Sequence, residues 1–169
     1  EGKGMLPGYF CDGCVQLEHI SVPNTITRLW DYVFDKCTTL QEVTLPDGVT
    51  DIGRHVFESC CCITEMIPPK GLRKIGNGAF QGCRMLEKAV LPDGIVDSLF
   101  SGCYTLTEIV IPKSVTTVSR YCFENCQCMK RYYFLPDSPP ELTTTGTFLG
   151  LPKDCKFYVP KGRLDVYQA

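Results

Sequence analysis

The sequence predicts an α/β solenoid, in which successive coils of the chain stack and share one hydrophobic core. Three observations predict it: six cysteines recur at spacings of 23, 23, 23, 20 and 23 residues, a leucine-like residue follows each cysteine by three places, and a proline follows each of the first five by nine. Repeats of this period are typical of stacked supersecondary units. These six cysteines form what we term the cysteine ladder and number coils 1 to 6: Cys14, Cys37, Cys60, Cys83, Cys103 and Cys126.

Length and composition narrow the class of protein. The chain has 169 residues, which fits one domain, and 44% hydrophobic residues, which supply a core. Its net charge of −2 predicts no nucleic-acid partner. No apolar run reaches the roughly 18 residues of a transmembrane helix, so no membrane insertion is predicted. No signal-peptide pattern opens the chain, so this end of the sequence does not indicate localisation.

Coil 2 shows how each repeat forms a strand and a turn. Val43 and Leu45 alternate with polar residues, which predicts a short strand with one buried face. Pro46 has no N–H to donate and ends the strand, and the segment 46–48 (Pro-Asp-Gly) predicts a tight turn. The same type of turn recurs at 69–71 and 92–94.

The rest of the coil supplies inward side chains. Val49 and Ile52 point inward after the turn, and we expect a brief helical turn or irregular structure on the far side. A phenylalanine three places before the ladder cysteine forms the phenylalanine column: Phe34, Phe57, Phe80, Phe100 and Phe123. Stacked aromatics bury about 150–250 Å² each and should stabilise the stack. Coil 4 is shorter by three residues between Pro92 and the next ladder cysteine, which predicts a local flattening or kink.

The chain contains twelve cysteines, six of them outside the ladder. Equivalent Cβ atoms in neighbouring coils should stay about 4.7–4.9 Å apart, above the roughly 3.8 Å of a disulfide. The ladder is therefore predicted to consist of buried thiols acting as small apolar side chains. For the extra cysteines two alternatives stay open. One is a local disulfide of Cys61 or Cys62 with a neighbouring coil, and the other is a metal or redox site centred on 60–62. No cofactor is predicted.

The repeat unit resembles a leucine-rich repeat. Leu40-x-x-Val43-x-Leu45 matches its strand core, and 49–53 (Val-Thr-Asp-Ile-Gly) is similar to the BspA-type leucine-rich repeats of bacterial surface proteins. The resemblance covers residues 9–135. It implies a right-handed leucine-rich-repeat coil with short parallel strands on one face and irregular or short helical segments on the other. It also implies a surface or secreted protein that adheres to a protein partner, such as a host or extracellular-matrix protein.

Three parts of the chain are predicted. Residues 1–8 form a partial N-terminal coil, 9–135 form a solenoid of about six coils, and 136–169 form a C-terminal capping segment. Within the cap we expect a last strand at 155–159 and a short helix at 162–168.

No catalytic constellation is evident, and the chain is predicted not to be an enzyme. His19 and His55 accompany no nucleophile motif, and both are predicted to be solvent-exposed. A glutamate recurs at one strand position, at Glu42, Glu65 and Glu108. One carboxylate per coil is typical of a solvated face rather than an acid–base pair.

The outward residues of the strands are the predicted protein-binding site. They are Glu42, Thr44, Glu65, Ile67, Lys88, Val90, Glu108, Val110, Arg131 and Tyr133. Four of them form what we term the apolar stripe: Ile67, Val90, Val110 and Tyr133. The stripe is either a partner-binding or self-association patch or ordinary β-strand preference on a structural spacer without a ligand of its own. Trp30 is expected to project outward, as an interface anchor or as a cover for coil 1.

Overall fold

The computed structural model describes residues 4–90, 97–144 and 146–168. Within them the chain is a parallel-strand solenoid of about six coils with little helix, which confirms the predicted fold class. The elements in chain order are β1 (Met5–Leu6), β2 (His19–Ser21), β3 (Arg28–Leu29), β4 (Glu42–Thr44), β5 (Asp51–Ile52), β6 (Glu65–Met66), β7 (Lys74–Ile75), β8 (Lys88–Val90), β9 (Glu108–Ile111), β10 (Thr117–Val118), β11 (Arg131–Phe134), β12 (Glu141–Leu142), β13 (Lys156–Tyr158) and α1 (Leu164–Gln168).

The predicted strands lie side by side along one side of the stack, which we term the strand face. β2 pairs with β4, and a separate five-stranded sheet has the order β13-β11-β9-β8-β6. Every pair is parallel, and the partners lie one coil apart, as Lys88 with Glu108 and Glu108 with Arg131. Each coil thus adds one strand, because a solenoid repeats its conformation at every turn.

A second parallel sheet, which the sequence pattern does not indicate, follows the proline turns. In the described residues it comprises two separate parts, the four-stranded order β1-β3-β5-β7 and the pair β10-β12, with two residues in each strand; we use the term second sheet for both. Ile52 of β5 is 2% exposed and Ile75 of β7 is 3% exposed, while the preceding residue in each strand points outward. Two residues are too few for a detectable alternation of apolar and polar side chains.

The third side of each coil has a left-handed backbone at two positions instead of the expected helical turn. The φ angles there lie between 52° and 73°, at Tyr9, Gly13, Tyr32, Lys36, His55, Ser59, Gly78, Gly82, Ser98, Gly102, Tyr121 and Asn125. In coil 2, the N–H groups of Tyr32, Phe34 and Lys36 donate to carbonyls of coil 3 at 2.8–2.9 Å. These bonds between coils offset the cost of left-handed backbone at non-glycine residues.

The phenylalanine column is confirmed as the centre of the core. Its neighbouring rings are stacked with centroids 5.1–6.1 Å apart, and all five side chains are buried. Phe148 extends the column beyond coil 6, at 5.9 Å from Phe123.

The cysteine ladder is buried in coils 2 to 6, and each of its five thiols donates a hydrogen bond to a carbonyl of the preceding coil. The distances are 3.0–3.3 Å, and the acceptors are the carbonyls of Cys11, Phe34, Phe57, Phe80 and Phe100. The prediction of a buried thiol is wrong for Cys14, which is exposed because none of the described residues packs over that side of coil 1. All twelve cysteines are free thiols, so the local disulfide is not formed.

Burial of these thiols makes the fold less stable at alkaline pH. Burial raises the pKa of Cys126 to about 12 and that of Cys37 to about 11, from an ordinary value of 9.0. Below pH 9 the thiols are protonated in both states. Above pH 9 only the unfolded chain releases these protons, so stability falls as pH rises toward the folded pKa. We expect a loss of about 1.4 kcal/mol per pH unit for each such thiol well above its unfolded pKa.

Urea unfolding at pH 8, 9 and 10 measures this dependence. The variant Cys126→Ala should lose stability less steeply with pH than the wild type, by the equivalent of about half a proton at pH 9 and about nine-tenths of a proton at pH 10. Equal slopes for the two proteins would contradict the role of Cys126.

The C-terminal strand and helix lie where they were expected, as β13 and α1. Phe148, Leu151 and Val159 pack against the core, and the Tyr167 hydroxyl donates to the Pro136 carbonyl at 2.9 Å. The division into a partial coil, a solenoid and a cap stays a prediction. The turn at 92–94 lies outside the described residues, and so does most of the segment where the kink in coil 4 was predicted.

Candidate protein-binding face

The outward charged residues of β6, β8, β9 and β11, which we term the charged column, alternate in sign across these four strands, whereas Lys156 of β13 lies opposite Arg131 and has the same sign. Lys88 lies opposite Glu65 on one side and Glu108 on the other. Arg131 lies opposite Glu108 and forms an ion pair with it. Opposite charges on facing strands stabilise a sheet, so these residues contribute to strand pairing as well as to the surface.

The apolar stripe runs in register beside the charged column. Val90 is paired with Val110, and Val110 with Tyr133. Ile67 follows β6 at the edge of the sheet and is 70% exposed. Tyr158 of β13 extends the stripe, with its ring stacked on that of Tyr133 at 5.0 Å. The sequence analysis missed Tyr158, because it lies 25 residues after Tyr133 and therefore outside the 23-residue period.

A shallow depression joins the two columns at the centre of this face. Its volume is about 180 Å³. Six predicted site residues line it: Glu65, Ile67, Lys88, Val90, Glu108 and Val110. Arg131 and Tyr133 continue the same sheet on the next strand, while Glu42 and Thr44 lie apart on β4.

A cleft separates β4 from β6 and divides the predicted face in two. No Cα atom of β4 lies within 8 Å of a Cα atom of β6, and both strands lie wholly within the described residues. The cleft has a volume of about 270 Å³ and is lined mainly by apolar side chains, among them Val43, Phe57, Met66 and Phe80. The repeat would place Glu42 directly opposite Glu65, and like charges on facing strands oppose pairing.

Trp30 directly follows β3 and occupies, in coil 1, the repeat position that glycine occupies in coils 2 and 3. It is 47% exposed, as expected, and its indole N–H donates to the Met5 sulfur at 3.4 Å. The Arg28 guanidinium lies over the ring at 5.8 Å. These contacts hold the indole against the surface of the second sheet.

The two histidines differ in their surroundings. His19 is exposed on the strand face, 3.7 Å from a carboxylate oxygen of Glu42. The prediction of exposure is wrong for His55, whose side chain is only 25% exposed and stacks on Tyr32 at 5.1 Å. The left-handed positions of neighbouring coils align these rings along the stack. Among the described residues, no group of three or more histidine, cysteine, aspartate or glutamate side chains is placed to hold a metal ion.

The repeat geometry agrees with a known family. A sequence model of the BspA type leucine-rich repeat region matches residues 5–130 in six copies. The chain belongs to this family. The predicted resemblance is thereby confirmed, and BspA-type leucine-rich-repeat folds are typically non-enzymatic and generally mediate protein–protein interaction. No curated protein is significantly similar to this BspA-type chain in sequence.

Solved bacterial leucine-rich-repeat structures share the fold of this BspA-type chain. The T. pallidum leucine-rich repeat protein is 28% identical with a TM-score of 0.75, over 88% of this chain and 72% of that one. The pneumococcal vaccine antigen PcpA is 21% identical with a TM-score of 0.76, over 99% of this chain and 42% of that one. A leucine-rich repeat protein from Bacteroides ovatus is 23% identical with a TM-score of 0.62, over 92% of this chain and 48% of that one.

The chain spans less than half the length of the last two proteins, whose likeness concerns the fold alone. Within the residues that the structure describes, no helix has the length and apolar character needed to cross a membrane.

Proposed function

We propose that this chain is a non-enzymatic protein-binding module of a surface or secreted protein, and that it adheres to an extracellular protein through its strand face. The observation that carries the proposal is the apolar stripe. Val90, Val110 and Tyr133 lie on hydrogen-bonded strands in one register, so their side chains form a continuous apolar surface.

The ends of the stripe are its most accessible parts. Ile67 is 70% exposed at one end and Tyr158 is 44% exposed at the other. Tyrosine is enriched at protein interfaces because it combines a large apolar ring with a polar hydroxyl. Membership of a family whose members generally bind proteins supports the same proposal.

Binding to a panel of purified extracellular-matrix and cell-surface proteins tests this function. We expect the double variant Val110→Lys, Tyr133→Ser to bind any partner at least about tenfold more weakly than the wild type, because it places a charge in the stripe and removes the tyrosine stack. Biolayer interferometry on the immobilised chain measures the dissociation constants.

Leu142→Lys is the matched control, because Leu142 is an exposed apolar residue of the second sheet and is 47% exposed. It should leave every affinity unchanged, and thermal unfolding should show that all the proteins are folded. Equal affinity of the double variant for every bound protein would exclude the stripe as the site. If no protein of the panel binds, the result would favour the alternative that the chain is a structural spacer without a ligand of its own.

A further inference from the structure

We term the cleft between β4 and β6 the slot. It lies on the strand face only. Neighbouring strands in a sheet lie about 4.8 Å apart, and the Cα separation of more than 8 Å here exceeds that spacing. The second sheet nevertheless stays continuous across the same two coils, because Asp51 of β5 is paired with Lys74 of β7. At the turn, the Gly71 N–H donates to the Asp47 carbonyl at 3.1 Å and closes that end of the slot.

Backbone groups of β4 face the slot. The Glu42 N–H donates to a carbonyl of coil 1, and the Thr44 carbonyl accepts from the Val22 N–H of coil 1 at 2.9 Å. Successive residues of an extended strand direct their N–H and C=O groups to alternate sides. Val43, which lies between these two residues, therefore directs both groups toward β6.

The same reasoning applies to the opposite wall of the slot. The Thr64 carbonyl accepts from the Glu87 N–H at 2.9 Å, which directs it toward coil 4. The next residue, Glu65, therefore directs its N–H and C=O groups toward β4. The slot thus has a strand edge on each wall, and such edges are templates for another extended segment.

The side chains at the slot select the chemistry of that segment. Glu65 lines the slot, and the repeat places Glu42 at the corresponding position of the β4 wall, whereas the charged column from β6 to β11 alternates in sign. A cationic side chain of an added strand, placed between these two carboxylates, would restore the alternation of charge from strand to strand. One residue further, the walls are Val43 and Met66, above the apolar lining of the cleft. A third position lies between Thr44 and Ile67, which suits a β-branched side chain on a pleated surface.

The geometry points to a strand-accepting site between β4 and β6 for an extended peptide segment of a partner protein. The segment runs parallel to β4 and β6, as all neighbouring strands of these sheets do, so in it a lysine or arginine precedes an apolar residue and a β-branched residue follows. Addition of a strand supplies main-chain hydrogen bonds, and alternate side chains supply specificity. The inference rests on the proposed function, because the slot opens on the strand face. Its test uses Glu42, which the test of the apolar stripe leaves unchanged.

A labelled synthetic peptide with the sequence Gly-Lys-Val-Thr-Gly, blocked at both ends, is the probe. Fluorescence anisotropy with the full chain measures its affinity. We expect the matched peptide with glutamate in place of lysine to bind at least about tenfold more weakly, because it would place a third carboxylate between Glu42 and Glu65. Equal binding of the two peptides, or binding of neither, would overturn the proposal.

The variant Glu42→Lys tests the slot itself. It places the cation on the protein opposite Glu65, so that β4 and β6 can pair and the lysine peptide should bind at least about tenfold more weakly. Glu141→Lys makes the same charge change at an exposed residue of the second sheet and should bind as the wild type does. Unchanged affinity in the Glu42→Lys variant would refute the site.

Hydrogen exchange gives a second readout. The amides of Val43 and Glu65 should exchange more slowly when the lysine peptide is bound, because each then donates to the added strand. Unchanged exchange at both residues would mean that the peptide binds elsewhere. Peptide binding by the Val110→Lys, Tyr133→Ser variant should equal that of the wild type, which separates failure of the slot from failure of the apolar stripe.

Discussion

Replacing Phe100 by alanine is expected to lower the free energy of unfolding by about 3–5 kcal/mol. Phe100 is fully buried and stacks on Phe80 at 5.9 Å and on Phe123 at 6.1 Å. Because each coil of a solenoid is stabilised by its neighbours, loss of this ring weakens the interface on both sides of coil 5. The expected loss is a large fraction of the roughly 5–15 kcal/mol that stabilises most domains. Urea unfolding followed by circular dichroism measures it.

Phe10→Ala is the matched control, because it removes the same side chain from a position that is 58% exposed. A surface substitution of this kind usually changes stability by less than about 0.5 kcal/mol. Comparable losses in the two variants would mean that the phenylalanine column does not form the stabilising centre of the core.

Replacing Gly76 by alanine is expected to destabilise the fold by about 1–3 kcal/mol. A Cβ atom at this position would lie 2.4 Å from the Arg54 nitrogen and 2.4 Å from the Gly53 carbonyl carbon. Both are backbone atoms of the preceding coil, so no side chain can move aside. Coils 2 and 3 would have to separate along the second sheet, where β5 and β7 are hydrogen-bonded.

Gly48→Ala gives the contrasting result for the same chemical change. No atom lies within 4 Å of the position that its Cβ would occupy, and no unfavourable backbone angle opposes the substitution. Alanine there should leave stability unchanged or raise it by up to about 1 kcal/mol, because it restricts the unfolded chain. Thermal unfolding of the two variants tests both expectations. A Gly76→Ala protein as stable as the Gly48→Ala protein would show that the coils are not in close contact at Gly76.

The 23-residue repeat predicted the stack, the phenylalanine column and the strands of the strand face. Each of these depends on residue types that recur at the same position of every repeat, as Phe57 and Cys60 recur as Phe80 and Cys83. Such recurrence is visible in the sequence because equivalent residues share one environment in every coil. The register of Val90 with Val110 then follows, since one coil separates them.

Other features left little or no signal in the sequence. Tyr32 and Lys36 have a left-handed backbone, although neither residue type favours it, because bonds to the next coil compensate. The buried thiols were expected to act as apolar groups, and the structure shows that they also donate to carbonyls of the preceding coil. A hydrogen bond across 26 residues depends on how closely two coils approach, which no local preference encodes.

The sequence by itself determined that this chain is a repetitive stack with a strand face, because period and side-chain type are local properties of the chain. Only the tertiary structure decided that this face is divided between β4 and β6. The like charges of Glu42 and Glu65 oppose pairing of these two strands, while the repeat pattern and the packing of the two coils favour it. These interactions oppose one another in space, and their sum cannot be read from one repeat.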